Sequence, residues 1–222
     1  MATKSEVAAT IVNTALKLAQ NQGWNRVTLA AIADESGLKA DRVIAEFPTK
    51  EAILAAFARR IDADVLKEPL ATEGTVRDRL FDLIMRRFDA LGPHRAGIRA
   101  ILRDTMGDPL AALAGLCSVH RSMATTLEAA GVSASGPFGR LRANALAALY
   151  LRTLYDWLHI DDESGDDRIM AQLDKALTRA EQIAISFAGQ RERLQARRQA
   201  RRSARQRAKD DEAGDVEASD RA

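Results

Sequence analysis

Long apolar runs are missing from this sequence. The stretch that comes nearest, ANALAALYLRTLYDWL, is interrupted by Arg152 and Asp156, and nothing approaches the roughly 20 apolar residues that a bilayer span needs. No membrane span is expected. Aromatic residues make up only 5% of the chain and prolines number five. With alanine and leucine spread throughout, that scarcity argues against a sheet of β-branched and aromatic side chains and for helices packed through small ones. Cysteine is reduced to Cys117, which excludes an internal disulfide, and its apolar helical surroundings predict a packed thiol. The opening MATKSEVAAT has no basic segment, apolar block and small-residue cleavage site of a secretion signal, so a cytoplasmic location is expected.

Catalytic signatures are equally scarce. There is no nucleophile elbow and no phosphate-cradling glycine loop, and His94, His120 and His159 lack metal-ligand spacing. Each histidine is expected at a helix surface or pocket edge. The acidic run 161–167 fails as a calcium loop, because Asp166 stands where glycine is needed and Gln172 where a bidentate glutamate is needed. It reads as a solvated turn. No enzyme, metal or cofactor is expected.

Charge is nearly balanced but unevenly placed. Of 33 Lys/Arg and 31 Asp/Glu, ten and seven lie in residues 191–222, leaving 23 and 24 before them. Composition therefore does not by itself indicate nucleic-acid binding. The last residues, 189–222, hold few large apolar side chains and predict a charged, solvated, partly disordered tail.

What is present is helical periodicity, and the expected class is all-α. Val7, Ile11, Val12, Ala15, Leu16 and Ala19 recur at helical spacing up to Gly23. Thr28 is placed to cap LAAIADES, which Gly37 ends, and KADRVIAEF follows as a second short helix. Pro48 stops it, Thr49 caps again, and KEAILAAFARRIDADVL continues with Glu51 in its first turn. After a polar hinge at 67–74, Thr75 and Asp78 form a capping-box start for a helix that runs to a break at Gly92 and Pro93. Further helices are expected at roughly 95–105, 109–130, 137–160 and 166–188.

Two short helices joined by a tight glycine turn and buttressed by a third make the unit that places a helix in the DNA major groove. Residues 28–47 fit it, with Leu29, Ile32, Ala33, Leu38, Val43 and Phe47 as a small core. The segment IVNTALKLAQNQGWNRVTLAAIADESGLKADRVIAEFPTKEAIL resembles the head of the TetR family of transcriptional regulators. Its landmarks are the Ala15 stretch, the Gly23 turn, Thr28, the Ile32–Ala33 pair, Gly37, Phe47, Lys50 and Glu51.

That resemblance implies a TetR-like fold: a helix-turn-helix head at 4–64, a ligand-binding and dimerisation body at 75–188, and a homodimer through about 137–188. It also implies a double-stranded DNA operator as partner and a repressor as function. The DNA-contacting residues it points to are Thr28, Lys39, Ala40, Arg42 and Lys50. The recognition helix departs from the family pattern. It lacks a small hydroxyl residue at its start, carries Ile44 where an aromatic ring is usual, and carries Glu46 where another ring or histidine is usual. Glu46 would be repelled by phosphates, and isoleucine cannot donate to one.

A second, shorter likeness sets up a rival. YDWLHIDDESGDDRIMAQLDKAL resembles the end of the TetR-like ubiquinone-biosynthesis lipid-binding proteins, through Trp157, Asp161 or Asp162, Ser164, Asp166 and Leu173–Asp174. It implies a lipid- or isoprenoid-binding accessory protein with a vestigial head. Either way the body should accept a small apolar ligand. The candidate lining, with plain core packing as the alternative for each residue, is Met85, Phe88, Ile98, Leu102, Leu113, Met123, Leu127, Leu149 and Tyr150, a set with few polar groups.

Overall fold

A computed structural model describes residues 3–70, 74–160, 167–183 and 186, and the ordered elements among them are helical. The first four follow the local signals in the sequence. α1 (Lys4–Gln22) opens with a capping box in which Thr3 Oγ1 accepts from the Glu6 N–H while Glu6 accepts from the Thr3 N–H. It closes at Gly23, whose φ of +83° suits glycine. A 3-10 turn, Trp24–Arg26, which periodicity did not indicate, leads into α2 (Leu29–Ser36). Thr28 caps α2 by accepting from the Ala31 N–H, and Gly37 ends it in the left-handed conformation. α3 (Ala40–Glu46) stops at Phe47, before Pro48, and α4 (Lys50–Val65) starts behind the Thr49 cap.

The capping box of Thr75 and Asp78 is present at the start of α5 (Val76–Leu91). α5 ends at Leu91, at the expected break, and a 3-10 turn over Gly92–His94 leads into α6 (Arg95–Thr105); Pro93 is tolerated there because the N–H groups of a first helical turn have no intrahelical partner. α7 (Pro109–Ala129) is capped by Asp108, which accepts from the Leu110 and Ala111 N–H groups, and α8 (Gly136–His159) follows. Residues 167–183 are helical as well. The turn at Asp161, Asp162, Ser164 and Asp166 and the tail from 189 onward lie outside the described residues. Met1–Ala176 forms one unit and Leu177–Ala222 a second; both the head and most of the body of the sequence reading fall in the first.

Within that first unit the cores are apolar and tightly closed. Ile11, Ala15, Ile32, Val43 and Ile53 bring α1 to α4 together, and Leu83, Ile84, Met123, Leu158, Ile169 and Leu173 centre the later helices. Asp174 reaches back to Arg77 at the start of α5, 3.2 Å away. The two groups of helices meet where α6 lies on α1. The crossing works because residue 97 is glycine: a Cβ there would sit 2.6 Å from the Leu16 carbonyl oxygen and 3.3 Å from its carbon. Backbone atoms cannot yield as a side-chain tip can. Gly97→Ala should therefore push α6 off α1 and lower stability by about 1–3 kcal/mol, measurable as an earlier midpoint in urea unfolding.

Candidate nucleic-acid interface

α3 is held by one side only. Val43 is fully buried where α3 packs on α2, while Lys39, Ala40, Asp41, Arg42, Ile44 and Ala45 are exposed. At about 100° per residue, Asp41 and Ala45 point directly away from Val43, with Ile44 on one flank and Arg42 on the other. This is the surface a helix-turn-helix unit offers to a groove. Asp41 Oδ1 accepts from the Arg42 N–H at 2.8 Å, which ties the acid to the first turn of its own helix. Among the described residues the Lys39 and Arg42 side chains enter no hydrogen bond or ion pair, so both cations remain available to an anionic partner.

Two residues of the sequence reading take different places. Glu46, expected to repel phosphates, is half-buried beside α1, with Lys4 Nζ 3.9 Å from its carboxylate. Its position in the last turn, about 60° from Val43, turns it sideways and away from the exposed face. Lys50 donates to the Trp24 carbonyl oxygen at 3.0 Å and lies 4.9 Å from the centre of the Trp24 ring. Its ammonium braces the turn between α1 and α2. Thr28 is exposed, and its hydroxyl oxygen is already used as the α2 cap.

The face would act as a switchable reader only if its orientation depended on the body, and three side-chain contacts join the two. Asp104 of α6 accepts from the Asn25 N–H at 3.1 Å; that bond, followed by the Arg103 guanidinium, holds its carboxyl below the usual range. Arg60 of α4 bridges Asn13 of α1 at 2.9 Å and His94 Nε2 at 3.3 Å, and the His94 ring meets Phe57 edge-on. Arg87 of α5, only 5% exposed, pairs with Asp62 of α4, and the Ser122 hydroxyl of α7 donates to the same carboxylate oxygen. Within the body, Arg95 and Arg99 of α6 donate to the Trp157, Leu158 and Ile160 carbonyl oxygens at the end of α8, where the helix dipole favours cations.

The Arg87 cluster sets a charged group beside the predicted apolar lining. Tyr150 of α8 packs beneath the same guanidinium, 5.7 Å from its ring centre, and burial pushes the Tyr150 phenol up. A signal was available: Arg87 lies one turn from both Leu83 and Leu91, on the buried stripe of α5.

The predicted ligand lining is brought together only in part. Phe88, Ile98, Met123, Leu127 and Tyr150 are buried, Met85, Leu102 and Leu149 are half-buried, and Leu113 is 58% exposed on α7. The Phe88 ring packs on Tyr150 and Trp157 at 5.8 and 5.4 Å. None of the nine lines the open groove of about 580 Å³ between α7 and α8, which is formed by Leu116, Cys117, His120, Arg121, Ala124 and Asn144. Cys117 is exposed there and not packed as expected, since residues 113–117 of α7 all face outward among the described residues. Of the histidines, His120 edges this groove, His94 sits half-buried beside Arg60, and His159 is exposed and stacks on Tyr155.

Residues 11–57 match the family described as bacterial regulatory proteins, tetR family. Among solved structures, the TetR transcriptional regulator of Nitrosomonas europaea is similar at 25% identity and a TM-score of 0.66, over 79% of this chain and 98% of its own. A tetR-family regulator of Streptomyces coelicolor is similar at 20% identity and 0.55, over 81% and 83%. Thermus thermophilus FadR, a TetR-family repressor solved with lauroyl-CoA, is similar at 19% and 0.53, over 77% and 91%. No curated protein sequence matches the chain significantly.

Two measurements probe the contacts between head and body. Asp62→Ala strands the buried Arg87 and should cost about 3 kcal/mol, whereas Asp62→Leu combined with Arg87→Met should recover most of that loss in chemical unfolding. Burial, reinforced by the nearby Arg60 charge, holds the His94 ring below the ordinary imidazole range. The folded state therefore binds fewer protons than the unfolded one, and stability should fall as pH drops through the unfolded value of about 6.5. His94→Gln should flatten that dependence in thermal melts between pH 5 and 8; an unchanged slope would assign it elsewhere.

Proposed function

Its head makes this chain a member of the tetR family of bacterial regulatory proteins, and we propose that it is a homodimeric, ligand-responsive repressor that reads an operator through α3. The observation that carries the reading is the exposure of Lys39 and Arg42, whose side chains have no partner among the described residues, on a helix whose opposite face is locked by Val43. Arg42 is suited to a guanine edge and Lys39 to a phosphate, with Ala40 leaving room for close approach. Lys50 and Thr28 support the reader by fixing the turn and the α2 start.

Dimerisation is supported by α8. Phe138, Leu141, Ala145, Ala148, Arg152, Tyr155 and His159 are all exposed and alternate at spacings of three and four, the pattern of a helix–helix seam. Small residues at its centre and large ones at both ends suit a two-fold crossing with a second copy, in which each end meets its counterpart. This falls within the 137–188 region of the sequence reading; residues 161–166, 184, 185, 187 and 188 of that region lie outside the described residues.

The effector is a small apolar molecule held among Phe88, Ile98, Met123, Leu127 and Tyr150, with Met85, Leu102 and Leu149 at the margin; Leu113 takes no part. Such a ligand beside Tyr150 displaces the Arg87–Asp62–Ser122 contact and so changes the tilt of α4 and the spacing of the two heads. The acyl ligand of the Thermus relative is in keeping with an apolar effector. Binding to DNA flanking the protein's own gene should be salt-sensitive and should survive unrelated competitor DNA. Arg42→Ala should weaken it by about 1–3 kcal/mol. Operator binding unchanged by that substitution would remove α3 as the reader, and no shift on any duplex would favour the lipid-binding alternative.

A further inference from the structure

The exposed face of α3 carries one large apolar side chain. Ile44 is 52% exposed, next to Ala40 one turn before it and Ala45 beside it. Within the chain this residue returns nothing: it packs no core, and a β-branched side chain lowers the propensity of a helix only seven residues long. Its stiffness is the feature of interest. In a helix isoleucine holds essentially one χ1 rotamer, so the side chain is a fixed apolar knob whose burial against a ligand loses little rotamer freedom.

Ala40 and Ala45 are too short to stand in front of Ile44. Asp41, one turn before it on the exposed face, is tied back to the Arg42 N–H, and Glu46 is turned toward α1. Arg42 lies on the far flank, about 160° around the helix axis from Ile44. In the major groove only one base presents an apolar group, the C5-methyl of thymine. Resting on the DNA-binding reading above, we propose that Ile44, with Ala40 behind it, is a specificity-determining residue that packs on a thymine methyl in each operator half-site. The isoleucine that replaces the usual ring thus exchanges a phosphate contact, which carries no sequence information, for a base contact.

The test starts from random-sequence duplex DNA enriched by repeated binding to the full-length protein. Each thymine of the enriched site is then replaced by deoxyuridine, which deletes the methyl and leaves every hydrogen-bonding group in place. Wild-type protein should lose about fourfold in affinity per half-site at one thymine position, the equivalent of one buried methyl group. Ile44→Ala should bind the parent site more weakly and be indifferent to deoxyuridine at that same position, while Ile44→Val keeps most of the discrimination. Because Ile44 is exposed, both variants should melt with the wild type. Enrichment of a site with no thymine whose methyl matters, or an equal deoxyuridine effect in wild type and Ile44→Ala, overturns the proposal and leaves the regulator reading standing. Failure to enrich any duplex overturns both.

Discussion

A carboxylate on the last turn of α4 must find partners inside the protein, and it finds them on two other helices. Asp62 takes the Arg87 guanidinium from α5 and the Ser122 hydroxyl from α7 on one oxygen, with Tyr150 of α8 packed under the arginine. Charges this far from water are tolerated only while paired. The helix that leaves the DNA-binding head therefore has one well-defined seat in the body, and any change in that seat is felt along the whole length of α4. α1 is seated separately, by the glycine crossing of α6, so the head is gripped on two sides.

Those two grips differ in kind. The α1–α6 crossing is steric and has one geometry, since Gly97 lies within van der Waals reach of the Leu16 carbonyl. The Asp62 cluster is polar and can be exchanged for water or a ligand group. Of the two, the polar grip is the adjustable one and the steric crossing the fixed one. The Arg60–His94 contact lies between them, on the same helix as Asp62 and two turns from the beginning of the head's buried core at Ile53.

What could be read from the residues was mainly what is local. Thr28, Gly37, Thr49 and the Thr75–Asp78 pair announce helix ends because each cap is made within three or four residues of itself. The recognition unit was legible for the same reason, as a short helix, a glycine turn and a second short helix. What was not legible is tertiary. Cys117 sits in an apolar run that looks like core, yet it is exposed. Arg87 sits on a buried stripe, and the carboxylate that satisfies it lies 25 residues earlier. Lys50 occupies a position suited to a phosphate, but the Trp24 carbonyl and ring lie closer to hand.

Many of the contacts that join the elements use main-chain atoms on one side. Lys50 holds the Trp24 carbonyl, Asp104 the Asn25 N–H, and Arg95 and Arg99 the terminal carbonyls of α8, while Gly97 faces the Leu16 carbonyl. A main-chain partner is present whatever side chain the residue carries. Substitutions at Leu16, Asn25, Leu158 or Ile160 can alter the local surface without deleting the bond that crosses to the neighbouring helix. The architecture is in this sense tolerant of drift: side chains can change while the contacts that join the helices are inherited intact. Fold likeness persisting at one residue in four to the Nitrosomonas regulator is the outcome such a scaffold allows.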